Sequence, residues 1–248
     1  MRVAVAGSSG RVGAAAVRVL EEAGHDVVPI SRSAGVDAYT GAGLDDALAG
    51  VDAVIDSTNT SVQNRQEIVD FFGTITRNLL AAEEKAGVGH HVLLSIVGLH
   101  HKTDAPHYAG KREQERLVTA GPIPWSIVRA TQFHDFGAMT AEWTEKDGVA
   151  TVAPLLVQPI AIDDVGRFLA EAALDTPLNG RVDVAGPQAQ DLVDMARRTF
   201  AVRGKDVKLV PTWRGTFGTD MSGEVLLPGE GVRLASTSFE DWLAAGAK

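Results

Sequence analysis

The sequence predicts an α/β fold, a doubly wound parallel sheet with a small C-terminal lobe. Three observations carry this expectation. Short apolar runs without polar alternation recur through the first 130 residues, as strands covered on both faces require. Between them lie segments with apolar residues three and four apart, the mark of amphipathic helices. A glycine-spaced turn, GSSGRVG at Gly7 to Gly13, joins the first such run to the first such helix.

Taken in order, Val3 to Ala6 is the first buried strand, and Val12, Ala15, Ala16, Val19, Leu20 and Ala23 form the apolar face of a helix that Gly24 closes. His25 to Ile30 reads as the second strand. A short strand is expected near Val36 to Ala38, then a small helix around Leu44 to Leu48 and a strand at Val51 to Ile55. A long helix over Val62 to Lys85 leads to the strand His91 to Val97. Lys111 to Thr119 is helical, Gly121 and Pro122 break it, and Trp125 to Val128 is the sixth expected strand. Strands alternating with helices imply right-handed βαβ crossovers. The remainder is less regular, with a helix opened by Asp163 or Asp164, a strand at Arg181 to Val184 and a glycine-rich stretch from Arg214 to Gly231. The expectation is one domain over 1–248, with a substrate-side lobe formed mainly by about 132–160 and 185–235.

Bulk properties narrow the function classes. A length of 248 residues suits a single α/β domain, and 45% hydrophobic residues supply a substantial core. The net charge of -9 argues against a binder of phosphate backbones, so no nucleic-acid partner is expected. The absence of cysteine excludes disulfides, thiolate catalysis and cysteine-based metal sites. The first apolar run ends after Ala6, too short for a signal segment or a membrane span. These features predict a soluble cytoplasmic protein whose partner is a small molecule.

The glycine turn predicts a dinucleotide site of Rossmann type. Gly7, Gly10 and Gly13 serve three needs: a tight strand-to-helix turn, close approach of the backbone to a pyrophosphate, and close packing of helix on strand. Ser9, Arg11 and Val12 fall within the same loop, where a helix N-terminus offers N–H groups and the positive end of its dipole to phosphates. At the end of the second strand an NAD site would want an acidic residue for the ribose hydroxyls. The chain has Ser31-Arg32 instead, a hydroxyl and a guanidinium suited to a 2′-phosphate, and Arg11 is a second candidate cation. The expected cofactor is therefore NADP, with NADPH preferred over NADH.

With these residues in place, the chain resembles an atypical short-chain dehydrogenase/reductase of the NmrA-like NAD(P)-binding group. The likeness runs from GSSGRVG through VDAVIDSTNT, VLLSIVGLH, HYAGKREQERL and IPWSIVRATQFHDF to QPIAIDDVGRFLAEAAL. It implies that Ser57 and Thr58 line the cofactor groove, that Asp37 and Ala38 lie near the adenine, and that Ser95 lies near the nicotinamide. The wider superfamily uses Tyr-x-x-x-Lys with a preceding Ser, the Tyr as acid or base, the Lys on the nicotinamide ribose and the Ser orienting substrate. Here Lys111 is present, but His107 stands four residues before it and Tyr108 three before it. One helical step rotates a side chain by about 100°, so His107 and Tyr108 cannot share a pocket unless the first turn is irregular. Both remain candidate proton donors, with Ser95 and Lys111 completing the catalytic set.

Phe133, His134 and Phe136 follow the last strand of this series, at the edge where open α/β sheets bind ligands. With Gly98 they are the candidate substrate contacts. The pairs His90-His91 and His100-His101 are not natural chelates, because adjacent strand residues point to opposite faces, and no metal is expected. A hydrolase triad lacks its G-x-S-x-G elbow. Two functions follow. The first is an NADP(H)-dependent oxidoreductase acting on a small carbonyl, enone or quinone-like substrate. The alternative is a non-catalytic NAD(P)-binding sensor or regulator, which the loss of Tyr from its expected position favours.

Overall fold

The computed structural model describes residues 1–99, 101, 105–214 and 217–247. Along the chain run β1 (Arg2–Ala6), α1 (Arg11–Glu22), β2 (Asp26–Ile30), α2 (Leu44–Ala47), β3 (Ala53–Asp56), α3 (Arg65–Ala86), β4 (His90–Ile96), α4 (Pro106–Ala120) and β5 (Trp125–Ala130). There follow α5 (Phe136–Thr144), β6 (Val149–Val152), β7 (Leu156–Val157), α6 (Ile162–Leu174), β8 (Gly180–Ala185), β9 (Gln190–Asp191), α7 (Leu192–Arg203), β10 (Lys208–Pro211), β11 (Arg233–Leu234) and α8 (Phe239–Ala244).

The chain divides into two compact units. The first holds the described residues of 1–99, 104–129 and 165–182, and the second those of 100–103, 130–164 and 183–248. In the first, parallel strands follow the order β8-β5-β4-β3-β1-β2. Strand β8 runs on into the second unit, where its last residues pair with β11 through Arg233↔Val184 and make the seventh strand. Val3 to Ala6 of β1 is wholly buried, as its unbroken apolar run requires. Its neighbours are β2 on one side (Val3↔Val27) and β3 on the other (Val3↔Ala53). The connections therefore reverse direction beside β1, the position where open α/β sheets form a ligand crevice at their carboxyl ends.

Helix boundaries follow local chemistry. Asn64 caps α3 by accepting from the backbone N–H of Gln66 and Glu67, so the helix starts at Arg65 and not at the expected Val62. Pro106 at the first position of α4 starts that helix five residues before the expected Lys111. Helices α1 and α6 pack closely at Gly166, where a Cβ would lie 2.6 Å from that of Ala15.

One expected element is absent. The strand predicted near Val36 to Ala38 is replaced by a 3-10 turn at Arg32–Ala34 and one isolated antiparallel bridge, Asp37↔Ala42. Asp37 Oδ1 accepts from the Tyr39 and Thr40 amides, and Gly35, Gly41 and Gly43 take positive φ, so the backbone turns where a strand would extend. Trp125–Ala130 is accordingly the fifth strand. The second unit contains two small two-stranded sheets, β10-β6 and β7-β9, with α5, α7 and α8. The glycine-rich stretch from Arg214 to Gly231 is described except at Gly215 and Thr216.

Candidate functional site

The glycine turn is built as its spacing requires. Gly7 has φ +78, and a Cβ there would meet the Ser57 carbonyl oxygen at 2.9 Å. Gly10 caps α1 with extended backbone, its N–H donating to the Gly7 carbonyl. Gly13 has no room for a side chain: a Cβ would sit far inside van der Waals contact of the Gly7 carbonyl and 2.8 Å from Ser57 Oγ. The first turn of α1 thus lies directly on the strand ends, with its backbone N–H groups at the helix start. Val12 is buried on the core side and Arg11 is exposed.

A cavity of about 550 Å³ opens along this turn. Gly7, Ser9 and Gly10 wall one end; Ser31, Arg32, Asp37, Ala38 and Tyr39 line it beyond β2; Ser57, Thr58 and the loop to Val62 close the side toward α3. The structure therefore brings together most of the predicted cofactor residues. Tyr39 and Phe71, which sequence reasoning did not single out, stack with centroids 5.7 Å apart on the cavity wall. Ser57 Oγ donates to the Ala6 carbonyl, and the Ser57 amide donates to the same oxygen. The Thr58 amide and hydroxyl both donate to Asp56 Oδ1, at 2.9 and 2.6 Å.

The catalytic candidates gather on α4 and β4. Lys111 is buried, donates from Nζ to the Leu94 carbonyl at 2.9 Å, and lies over the Phe72 ring at 4.7 Å. Burial lowers its pKa to about 8 against the opposing charges of Asp56 and Glu115. The His107 ring meets the same Phe72 ring edge-on at 5.5 Å. Burial, with the Lys111 charge, lowers its pKa to about 4. Phe72 reaches both because Gly110 has no side chain; a Cβ there would lie 3.1 Å from Phe72 Cε2 and nearer still to Cδ2. Tyr108 is 7% exposed, burial pushes its phenol pKa up, and its charged neighbour is Arg112. The helix has thus sorted the two proton-donor candidates: His107 shares its surroundings with Lys111.

Ser95 and Glu115 are the buried members of an ionic cluster. The Ser95 hydroxyl donates to Glu115 Oε1 at 2.7 Å, and the same carboxylate accepts from Arg129 Nε and Nη2 and from Arg181 Nε. These donors outweigh burial and hold the Glu115 pKa below its usual value. The cluster ties α4 to β4, β5 and β8 within the first unit. Beside it, the buried His91 Nδ1 sits 2.8 Å from Glu83 Oε1, and His90 Nε2 lies 2.8 Å from Ser126 Oγ. His100 lies outside the described residues. Among the described residues no cluster of His, Asp and Glu could hold a metal ion.

The candidate substrate contacts fall in different places. Gly98, with φ +78, belongs to the first unit, whereas Phe133, His134 and Phe136 belong to the second. His134 is buried, with Nε2 3.3 Å from the Thr237 carbonyl and its ring 5.8 Å from those of Phe239 and Trp242. Phe136 packs with Trp143 and Phe217, and Phe133 bridges to Ile160.

Asp56, Phe72 and Glu115 were missed from the sequence. An acidic residue ending the apolar run VDAVID was the available signal for Asp56; Phe72 and Glu115 gave none, since their partners lie far along the chain.

A glycine turn at the strand reversal of a parallel sheet is the Rossmann-type arrangement that binds dinucleotides. The chain belongs to the NAD(P)H-binding family, whose profile matches residues 7–176. An uncharacterized protein of Mycobacterium bovis and one of Mycobacterium tuberculosis are each 28% identical to it over 204 residues, covering 75% of this chain and 22% of theirs. The chain thus spans about a fifth of the length of the curated relatives it matches. Among solved structures, an NADPH-dependent quinone oxidoreductase of Escherichia coli has a TM-score of 0.75 at 16% identity, covering 99% of this chain and 100% of that one. A short-chain dehydrogenase/reductase superfamily protein of Agrobacterium tumefaciens with bound NAD has a TM-score of 0.72 at 18% identity, covering 100% and 96%. The Citrobacter triphenylmethane reductase complexed with NADP(H) has a TM-score of 0.66 at 18% identity, covering 86% and 79%. These structural likenesses bear on the fold alone. No described helix is long and apolar enough to cross a membrane.

Proposed function

We propose that the protein is an NADP(H)-dependent oxidoreductase acting on a small carbonyl, enone or quinone-like molecule. One observation carries this reading: the cavity that begins at the glycine turn has a guanidinium, Arg32, and no carboxylate at the end of β2. Gly7 and Gly13 let the start of α1 close on the strand ends, since a Cβ at either would collide with backbone there, and Gly7, Ser9 and Gly10 line the cavity where a pyrophosphate would lie. Arg32, with Ser31, takes the 2′-phosphate; Arg11 adds positive charge at the helix start; Asp37 and Ala38 flank the adenine.

When bound, NADPH supplies the hydride, and the chain supplies orientation and electrostatics. Lys111 keeps its ammonium up to about pH 8 and holds the nicotinamide ribose. His107 is neutral above about pH 4, so it acts at neutral pH as a hydrogen-bond donor to the substrate oxygen and not as an imidazolium acid. Ser95 supports the site through Glu115, to which its proton is committed. Gly98 is the proposed substrate contact of the first unit. The reading includes a cytoplasmic setting.

A second reading, an NAD(P)-binding sensor without turnover, is favoured by the lack of tyrosine at the position of His107 and the burial of Tyr108. NADPH and NADH binding titrations, combined with NADPH absorbance over a panel of ketones, enones and quinones, separate the two. Oxidation of NADPH by one of these classes supports the enzyme. Tight binding without turnover supports the sensor, and no dinucleotide binding overturns both.

A further inference from the structure

A fully buried carboxylate stands between the cofactor cavity and the helix of the catalytic candidates. Asp56 ends β3 with no exposure to solvent. Its Oδ1 accepts both protons of Thr58, whose residue lines the cavity. Its Oδ2 accepts from Gln114 Nε2 at 2.9 Å, and Gln114 lies one helical turn beyond Lys111 on α4. Burying a carboxylate is costly unless its lone pairs are satisfied, so a position filled this way is tightly defined.

We propose that Asp56 is a positioning residue that locks the cavity-lining turn at Thr58 to the face of α4 that carries Lys111. Each oxygen has its own duty. Oδ1 sets the backbone of Ser57 and Thr58 against the glycine turn, and Oδ2 fixes the register of α4 through Gln114. The carboxylate charge also acts on the Lys111 ammonium and opposes its loss of a proton. Among the described residues, the charged and titratable groups that act on Lys111 are Asp56 from β3 and His107 and Glu115 from α4 itself. Helix α3 presents the Phe72 ring and β4 the Leu94 carbonyl. The Asp56 charge also acts on His91, whose Nδ1 is held by Glu83.

Asp56→Asn separates the duties, because an amide oxygen can still accept from Thr58 while the charge is gone. Gln114 Oε1, which has no partner among the described residues, can turn to accept the new amide proton. The lysine 13Cε resonances of the labelled protein, with Lys111 assigned through Lys111→Arg, report its titration without any cofactor. In Asp56→Asn the Lys111 midpoint falls by about one unit, while NADPH affinity changes less than about twofold. In Asp56→Ala the midpoint falls equally and NADPH affinity drops by about tenfold. A Lys111 midpoint unmoved in Asp56→Asn overturns the proposal, as does an unmoved NADPH affinity in Asp56→Ala. The binding arm rests on the NADP(H) reading; the titration arm does not. Failure of the wild-type protein to bind NADPH would therefore sink that reading and the binding duty, and would leave the link to Lys111 to be decided by its midpoint.

Discussion

Two regions of the first unit solve the same problem, placing polar groups at the end of a buried sheet, by opposite means. At the β1–α1 turn the work is done by backbone: three glycines bring a helix start against the strand ends, and nearly every donor is a main-chain amide. On α4 it is done by side chains, with Lys111, Glu115 and Gln114 buried and His107 half-buried among carboxylates, guanidiniums and an aromatic ring. The first arrangement depends on what is missing, a Cβ. The second depends on charges that must remain paired. The contrast teaches that the turn is intolerant of added volume, whereas α4 is intolerant of removed charge.

The largest expected effect tests the turn. Gly13→Ala places a methyl against the Gly7 carbonyl, 2.7 Å from its carbon, where only backbone could move. Stability should fall by about 3 kcal/mol in urea unfolding, and NADPH affinity by more than about a hundredfold. Gly10→Ala, whose Cβ would meet the Gly7 carbonyl oxygen at 3.1 Å, should be milder on both measures. Equal effects would break the contrast between a volume-limited position and an ordinary helix cap.

The next tests α4. Glu115→Ala leaves Arg129 without its bidentate partner and Arg181 without its acceptor, and should cost about 3 kcal/mol. The carboxylate also predicts a pH window. Its folded pKa is depressed below the ordinary 4.5, so its contribution is complete above that value and is lost as pH falls through the folded pKa. Wild-type stability should decline on acidification below about pH 4.5, and Glu115→Gln should flatten that decline. A variant with the wild-type acid slope would show the cluster to be energetically idle.

A smaller effect concerns cofactor choice. Arg32→Ala should weaken NADPH binding by about tenfold and leave NADH binding nearly unchanged, because a charge-assisted hydrogen bond is lost only with the 2′-phosphate. Equal weakening of both would remove that contact. A last test is alkaline. The Lys111 pKa is lowered to about 8 from 10.5, so its stabilising contribution is complete above 10.5 and is lost as pH falls through 8. Wild-type stability should therefore rise with pH between those values, and Lys111→Met should abolish the rise. A rise retained in Lys111→Met would assign it to another group.

The same contrast explains what could be read from the sequence. The glycine turn was legible because a missing side chain leaves a mark at fixed, local spacing, and the strands from β1 to β5 were legible from their apolar runs. Lys111 was found by resemblance, but whether His107 or Tyr108 stands beside it depends on the helix start, which Pro106 sets. The bent segment at Val36 to Ala38 read as a strand because its two apolar residues are ordinary strand residues, while the Asp37 side chain that turns it acts through backbone amides. Ser95 looked like a substrate-facing hydroxyl; its proton goes to Glu115, twenty residues away, in a cluster completed by Arg181 from β8. No local pattern encodes such a partner.

The turn after β3 has one more consequence. The amides and hydroxyls of Ser57 and Thr58 have all given their protons inward, to Ala6 and Asp56, so toward the cavity these hydroxyls offer only lone pairs. The opposite wall, at the start of α1, offers amide protons. The groove is thus electrically two-sided, one bank giving protons and the other receiving them. A molecule lying in it is read for its polarity and its direction as well as its shape: its anionic portion belongs on the helix bank, and its own hydroxyl protons on the bank of β3.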